Sequence, residues 1–143
     1  MTWFPDRKAC LTWGGSQFRF PFTEATFRED AKLNSLPTRV LVRDDGELVA
    51  FGQYYLRVGR CHLGRLSVSP ALRGQGLGSA LIRELSRQGR ADLGVHSLSL
   101  FVHPDNRQAL KLYLRLRFSE VPYPEPSLAT DAYIYMVAAT PIN

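Results

Sequence analysis

The chain has 143 residues, 45% of them hydrophobic and 22% charged, with a formal net charge of +5. That length predicts a single domain over 1–143 with room for a hydrophobic core, and the composition is that of an ordinary globular protein. Two cysteines, no Cys/His cluster at zinc spacing, no long apolar run and no basic-then-apolar leader argue against a disulfide framework, a metal site and a membrane span, and predict a cytoplasmic chain.

In chain order, the N-terminal part is rich in aromatics (Trp3, Phe4, Trp13, Phe18, Phe20, Phe22, Phe27). Thr23 is a good N-cap for a helix to about Asn34, with Pro37 beyond its end. Thr38 to Arg43 alternates as a strand, Asp44-Asp45-Gly46 is a hairpin turn, and Glu47 to Val58 returns as the next strand. Val58-Gly59-Arg60 is a second turn, and Cys61 to Val68 a third strand. The run Ser79 to Gly89 is helical, with Leu77, Leu81, Ile82 and Leu85 on one face and Gly89 as its C-cap. Ser97 to Val102 is a strand, and Asp105 caps a helix through Arg117. A proline-rich loop, Val121 to Ser127, leads to a last strand, Ala132 to Ala138. The predicted order is a strand, a helix, three antiparallel strands, a helix, a strand, a helix and one or two closing strands, a mixed three-layer α/β/α domain.

The most informative stretch is Arg73-Gly74-Gln75-Gly76-Leu77-Gly78-Ser79, at a strand-to-helix junction. Alternating glycines let backbone approach a ligand closely, and the free N–H groups and dipole of a helix start favour an anion such as phosphate. The nucleotide-triphosphate loop is excluded because no Lys follows Gly78, and the dinucleotide fingerprint because the spacing is G-x-G-x-G. The 18 Lys and Arg residues form no block, which argues against nucleic acid as a partner. Arg57, Arg60, Arg65 and Arg73 gather mid-chain, where an acidic cofactor accounts for them equally well.

The spelling R-x-x-G-x-G from Arg73 to Gly78, with Leu66-Ser67-Val68-Ser69-Pro70 before it and Asn106, Ala109, Tyr113 and Phe118 after the next strand, resembles the GNAT family of N-acetyltransferases. The resemblance spans Cys61 to Phe118. It implies the acyl-CoA N-acyltransferase fold, with a central mixed, mostly antiparallel sheet, and acetyl-CoA as co-substrate. It further implies that Arg73 and the amides of Gly74, Gln75, Gly76, Leu77, Gly78 and Ser79 bind pyrophosphate. Leu66, Ser67 and Val68 would offer backbone to the pantetheine arm as an added strand does. Asn106 would lie near the cofactor, and Tyr113 would be the acid that protonates the departing thiolate, because a phenol stays protonated at neutral pH.

The general base is where the chain departs from the resemblance. Relatives that acetylate protein N-termini often carry a Glu five residues before the Asn, where this chain has Phe101; the position of the histone-lysine acetylating relatives' Glu is His62. An imidazole titrates near neutrality, so His62 is a candidate base, with Glu24 and Asp30 behind it. The family's Gly before Phe118 is Arg117 here, which puts the turn after the tyrosine helix in question. Cys61, beside His62 in a strand, points to the opposite face, so direct attack of the amine is expected rather than an acyl-enzyme. The acceptor stays open among an amino acid, a small amine, and a protein N-terminus or lysine. A non-catalytic acyl-CoA-binding module and an enzyme acting on charged transfer RNA are the rivals, and a homodimer through the last strand is an analogy.

Overall fold

The structure, a computed structural model, describes residues 3–4, 6–14, 18–125 and 133–139 (of Thr12 the backbone alone). The elements are α1 (Arg7–Gly14), α2 (Glu24–Asp30), β1 (Thr38–Val42), β2 (Leu48–Arg57), β3 (Arg60–Val68), a 3-10 turn (Pro70–Leu72), α3 (Leu77–Leu93), β4 (Leu98–Val102), α4 (Arg107–Arg115), β5 (Ser119–Glu120) and β6 (Ile134–Ala138). The six strands form one sheet in the order β1-β2-β3-β4-β6-β5, antiparallel throughout except for β3 against β4. This is the mixed, mostly antiparallel sheet between helices that the resemblance implied.

Strand alternation divides the interior between two faces. Ala50, Tyr54, Cys61, Leu63, Leu98 and Leu100 meet Leu81, Ile82 and Leu85 of α3, and Tyr113, Leu116 and Phe118 join the same cluster. On the other face Phe51 packs against Trp13 and Phe27, centroids 5.7 and 6.1 Å away, in a second cluster built on Cys10, Phe18 and Ala31. Trp13, Phe18, Phe20 and Phe22 are therefore packing residues of this cluster, and Tyr54 belongs to the main core.

Several expected boundaries move, each for a physical reason. The described N-terminal segment opens with a helix rather than a strand: Asp6 starts α1 by accepting from the Ala9 amide at 2.8 Å. The helix α2 keeps its Thr23 cap but ends at Asp30, because Lys32 turns left-handed at φ 54° and the Ala31 carbonyl accepts from the Gln53 side chain. Helix α3 begins two residues before Ser79 and runs past Gly89 to a left-handed cap at Gly94. The predicted start of the last strand, Ala132, and the end of the proline loop lie outside the described residues.

Gly89 is an interior glycine because the sheet comes too close for a side chain. A Cβ there would stand 2.4 Å from the Cys61 Sγ and 3.2 Å from the Tyr54 ring. Gly89→Ala is expected to destabilise by about 1–3 kcal/mol through overpacking. Gly89→Ala/Cys61→Ala should recover part of that loss in calorimetric melts, and an unchanged midpoint in the single variant would contradict the contact.

Candidate active site

The site begins where the sheet comes apart. Pairing of β3 with β4 lasts three residue pairs, Cys61–Leu98, His62–Ser99 and Leu63–Leu100, although both strands run on. The cause lies in β3: Phe51 faces Ser67 but Gln53 faces Gly64, so Arg65 and Leu66 together oppose Gly52. This bulge, with Arg65 at φ 49°, bends β3 away from β4. Among the described residues the β4-side edge of Leu66, Ser67 and Val68 has no partner strand, and one cavity runs along it.

At one end of this cavity sits the glycine loop. Gly74 and Gly76 take φ 83° and 80° with open space where a Cβ would be, so backbone conformation alone selects glycine there. At Gly78 the reason is different: a Cβ would meet Leu112 Cδ2 of α4 at 3.0 Å, so its absence lets α4 approach α3. Gly76 caps the 17-residue α3 with no side chain bonding the first amides. The N–H groups of its first turn and the positive end of its dipole are thus open to an anion. Arg73 is exposed beside them, its Nε 3.4 Å from the Val68 carbonyl oxygen.

Helix α4 lines the same cavity as Leu66–Val68. Its N-cap is Asn106, not Asp105: a turn closed by the Asn106 amide on the His103 carbonyl holds Asp105 inside it, so the helix phase starts one residue later. Asn106 Oδ1 accepts from the Ala109 amide at 3.3 Å, so the cap does not use its amide NH2, and the residue lines the cavity. Tyr113 is 7% exposed and packs on Phe118, with centroids 5.9 Å apart. Its hydroxyl makes no hydrogen bond among the described residues, and burial pushes its pKa up to about 12. The turn after α4 survives without glycine: Arg117 itself takes φ 70° and the Phe118 amide reaches the Tyr113 carbonyl at 3.0 Å.

Across the split, on the face away from α3, stands His62. It is 2% exposed, its Nδ1 is 2.9 Å from Ser99 Oγ, and the rings of Phe101 and Tyr55 lie 4.9 and 5.2 Å away. Burial, and secondarily the charge of Arg57, lower its pKa to about 3, so it is neutral across the physiological range. Arg57 lies 5.0 Å over Phe101, and its Nε donates to Tyr123 Oη at 2.9 Å. Cys61 points the other way, into the core, and burial raises its thiol to about 11.

One cavity thus brings together Leu66, Ser67, Val68, Arg73, the loop from Gly74 to Ser79 except Gln75, Asn106, Tyr113 and His62. Gln75 is exposed and does not line it. Glu24 lies outside this cavity, paired with Arg28; Asp30 is on its wall, but its carboxylate is held by Arg19. The mid-chain arginines separate. Only Arg73 flanks the glycine loop, Arg60 bonds Ser97 and Tyr135, and Arg57 and Arg65 line the cavity with His62. Sequence reasoning grouped Arg65 with the arginines that an acidic cofactor accounts for and did not place it beside His62, because its orientation depends on a bulge that strand alternation does not foresee. Among the described residues no group of His, Cys, Asp and Glu is placed to hold a metal, and no helix is long and apolar enough to cross a membrane.

The profile of the acetyltransferase (GNAT) family matches residues 7–118. The ribosomal-protein-S18-alanine N-acetyltransferase of Escherichia coli is 30% identical, covering 87% of this chain and 79% of its own, with a TM-score of 0.61. The N-acetyltransferase PseH of Campylobacter jejuni, solved in complex with acetyl coenzyme A, has the same fold at 22% identity and a TM-score of 0.62, covering 81% of this chain and 78% of its own. With the split sheet, the uncapped glycine loop and the tyrosine helix in place, the chain belongs to the acetyltransferase (GNAT) family of N-acetyltransferases.

Proposed function

We propose that the chain moves an acetyl group from acetyl-CoA to an amine by direct attack on the thioester. The observation that carries this reading is the split of β3 from β4, whose open edge leads from the glycine loop to Tyr113 on one side and His62 on the other. Arg73 and the amides of residues 74–79 hold the pyrophosphate. The edge of Leu66, Ser67 and Val68 takes the pantetheine arm as a strand would be taken, and its amides face the carbonyl oxygen as charge develops there. Asn106 donates to the cofactor from the amide NH2 that the helix cap leaves over.

In the reaction the amine nitrogen forms the C–N bond, the C–S bond breaks, and the thiolate takes the Tyr113 proton. With Nδ1 donating to Ser99, the Nε2 lone pair of His62 faces the incoming amine or an intervening water. At a pKa near 3 the imidazole accepts a hydrogen bond and relays the proton to water rather than storing it. No acyl-cysteine is used, since Cys61 is turned into the core. Thiol release with acetyl-CoA across a panel of amines tests the reading; acetyl-CoA binding with no release on any amine would instead favour the non-catalytic binding module.

The His62 environment fixes a pH dependence. The folded pKa lies below the unfolded value near 6.5, so the unfolded chain binds more protons between the two, and stability is lost as pH falls from about 6.5 toward 3. The slope from this one group reaches at most about 1.4 kcal/mol per pH unit. Thermal melts from pH 7 to 4 should show the slope flattened in His62→Gln. The rate should show no limb near pH 6.5 and rise only as the acceptor amine deprotonates; a histidine limb at neutral pH would contradict this environment.

A further inference from the structure

Arg65 lines the acceptor half of the cavity and forms no ion pair among the described residues. His62 and Arg65 are three residues apart, so in a regular strand they would face opposite sides of the sheet. The bulge places two residues against Gly52 and restores Arg65 to the His62 face. There its Nη1 donates to Gln53 Oε1 at 2.9 Å, and its Nε lies 3.4 Å from the Gly14 carbonyl oxygen. Gln53 is fully buried, and its own NH2 is fixed on the Ala31 carbonyl and Thr38 Oγ1 at 2.5 and 3.1 Å, which turns its oxygen toward Arg65. The guanidinium is therefore positioned by neutral oxygens alone. Among the described residues it makes no ion pair, and the carboxylate near enough to act on it, Asp30, bonds Arg19 at 2.9–3.2 Å.

The rest of this half is lined by donors as well. Arg57 bonds phenol oxygens rather than a carboxylate, and the Trp13 indole N–H is buried with no partner among the described residues. The carboxylates on the cavity wall have tasks elsewhere: Asp6 starts α1, Glu29 and Asp30 hold Arg19, and Asp105 lies beside His103. Among the described residues a polycationic acceptor finds no free anion near His62. A half-buried guanidinium kept without an ion-pair partner is costly, and an anionic ligand group that accepts two parallel hydrogen bonds would satisfy it. The phosphates of the cofactor belong to the glycine loop and Arg73, eight residues further along the chain.

We propose that the acceptor is an amine that also carries a carboxylate, an α-amino acid or close relative, with the amine toward His62 and the carboxylate on Arg65. This rests on the acetyl-transfer reading above. The test compares thiol release for the common L-amino acids with that for their amides and decarboxylated amines. At least one acid should exceed both counterparts in kcat/KM by tenfold or more, about 1.4 kcal/mol. That ratio should collapse in Arg65→Gln and be partly kept in Arg65→Lys, with acetyl-CoA titration confirming that each variant is folded. Amides or decarboxylated amines used as well as or better than the acids would overturn the proposal while leaving acetyl transfer intact. Should no amine be turned over, titration of the N-acetyl amino acids against their amides decides it alone: tighter binding of an acid, lost in Arg65→Gln, supports the proposal, and equal binding or none overturns it.

Discussion

Replacing Tyr113 with Phe should lower kcat about a hundredfold, at the low end for loss of a positioned general acid, while acetyl-CoA affinity changes by no more than about twofold. The reason for the separation is in the geometry. The Tyr113 ring fills the core against Phe118, but its hydroxyl bonds nothing among the described residues, so its removal breaks no buried hydrogen bond and leaves none unsatisfied. A phenol held near pKa 12 stays protonated across the range near pH ~10 in which an alkylamine acceptor loses its proton, so the acid is loaded when the amine becomes able to attack. Steady-state thiol release with calorimetric binding checks this. Unchanged kcat would remove Tyr113 from the chemistry, and a large fall in melting temperature would mean that the hydroxyl has a structural partner.

Gly76→Ala should weaken acetyl-CoA binding at least tenfold. A side chain at φ 80° is strained by about 1–2 kcal/mol, and relieving the strain rotates the amides at the start of α3 away from the pyrophosphate. Gly46→Ala is the internal control. That residue has nearly the same φ, 87°, with equally open surroundings, but sits in the β1–β2 hairpin turn. Both substitutions should cost similar stability, yet only the first should change the dissociation constant. Equal effects on binding would mean that the loop acts through global stability rather than through its amides.

The contrast between these glycines also shows what the sequence reveals. The loop from Arg73 to Ser79 was legible because its chemistry is local: spacing, a strand before and a helix after are all contiguous. Gly89 was not legible as a packing glycine, because the partners that forbid a side chain, Cys61 and Tyr54, are distant in sequence, and a glycine in a helical run otherwise reads as its end. Asn106 and Tyr113 were singled out by the family resemblance, but the cap on Ala109 and the unbonded phenol depend on the His103–Asn106 turn and on how α4 lies against the sheet. Arg117 shows that a left-handed turn can persist without the glycine that usually marks it. The split between β3 and β4 has no sequence signature at all, since it follows from a register shift between β2 and β3. The same shift carries Arg65 to the His62 face.

The central claim is that this split and the loop at its end hold acetyl-CoA, and calorimetric titration of the wild-type chain with acetyl-CoA tests it most directly. The expected result is a single site per chain with a dissociation constant on the order of 1–100 μM, within the usual range for enzyme substrates, weakened in Gly76→Ala and preserved in Tyr113→Phe. Absence of binding at millimolar acetyl-CoA, or binding indifferent to Gly76→Ala, would contradict it.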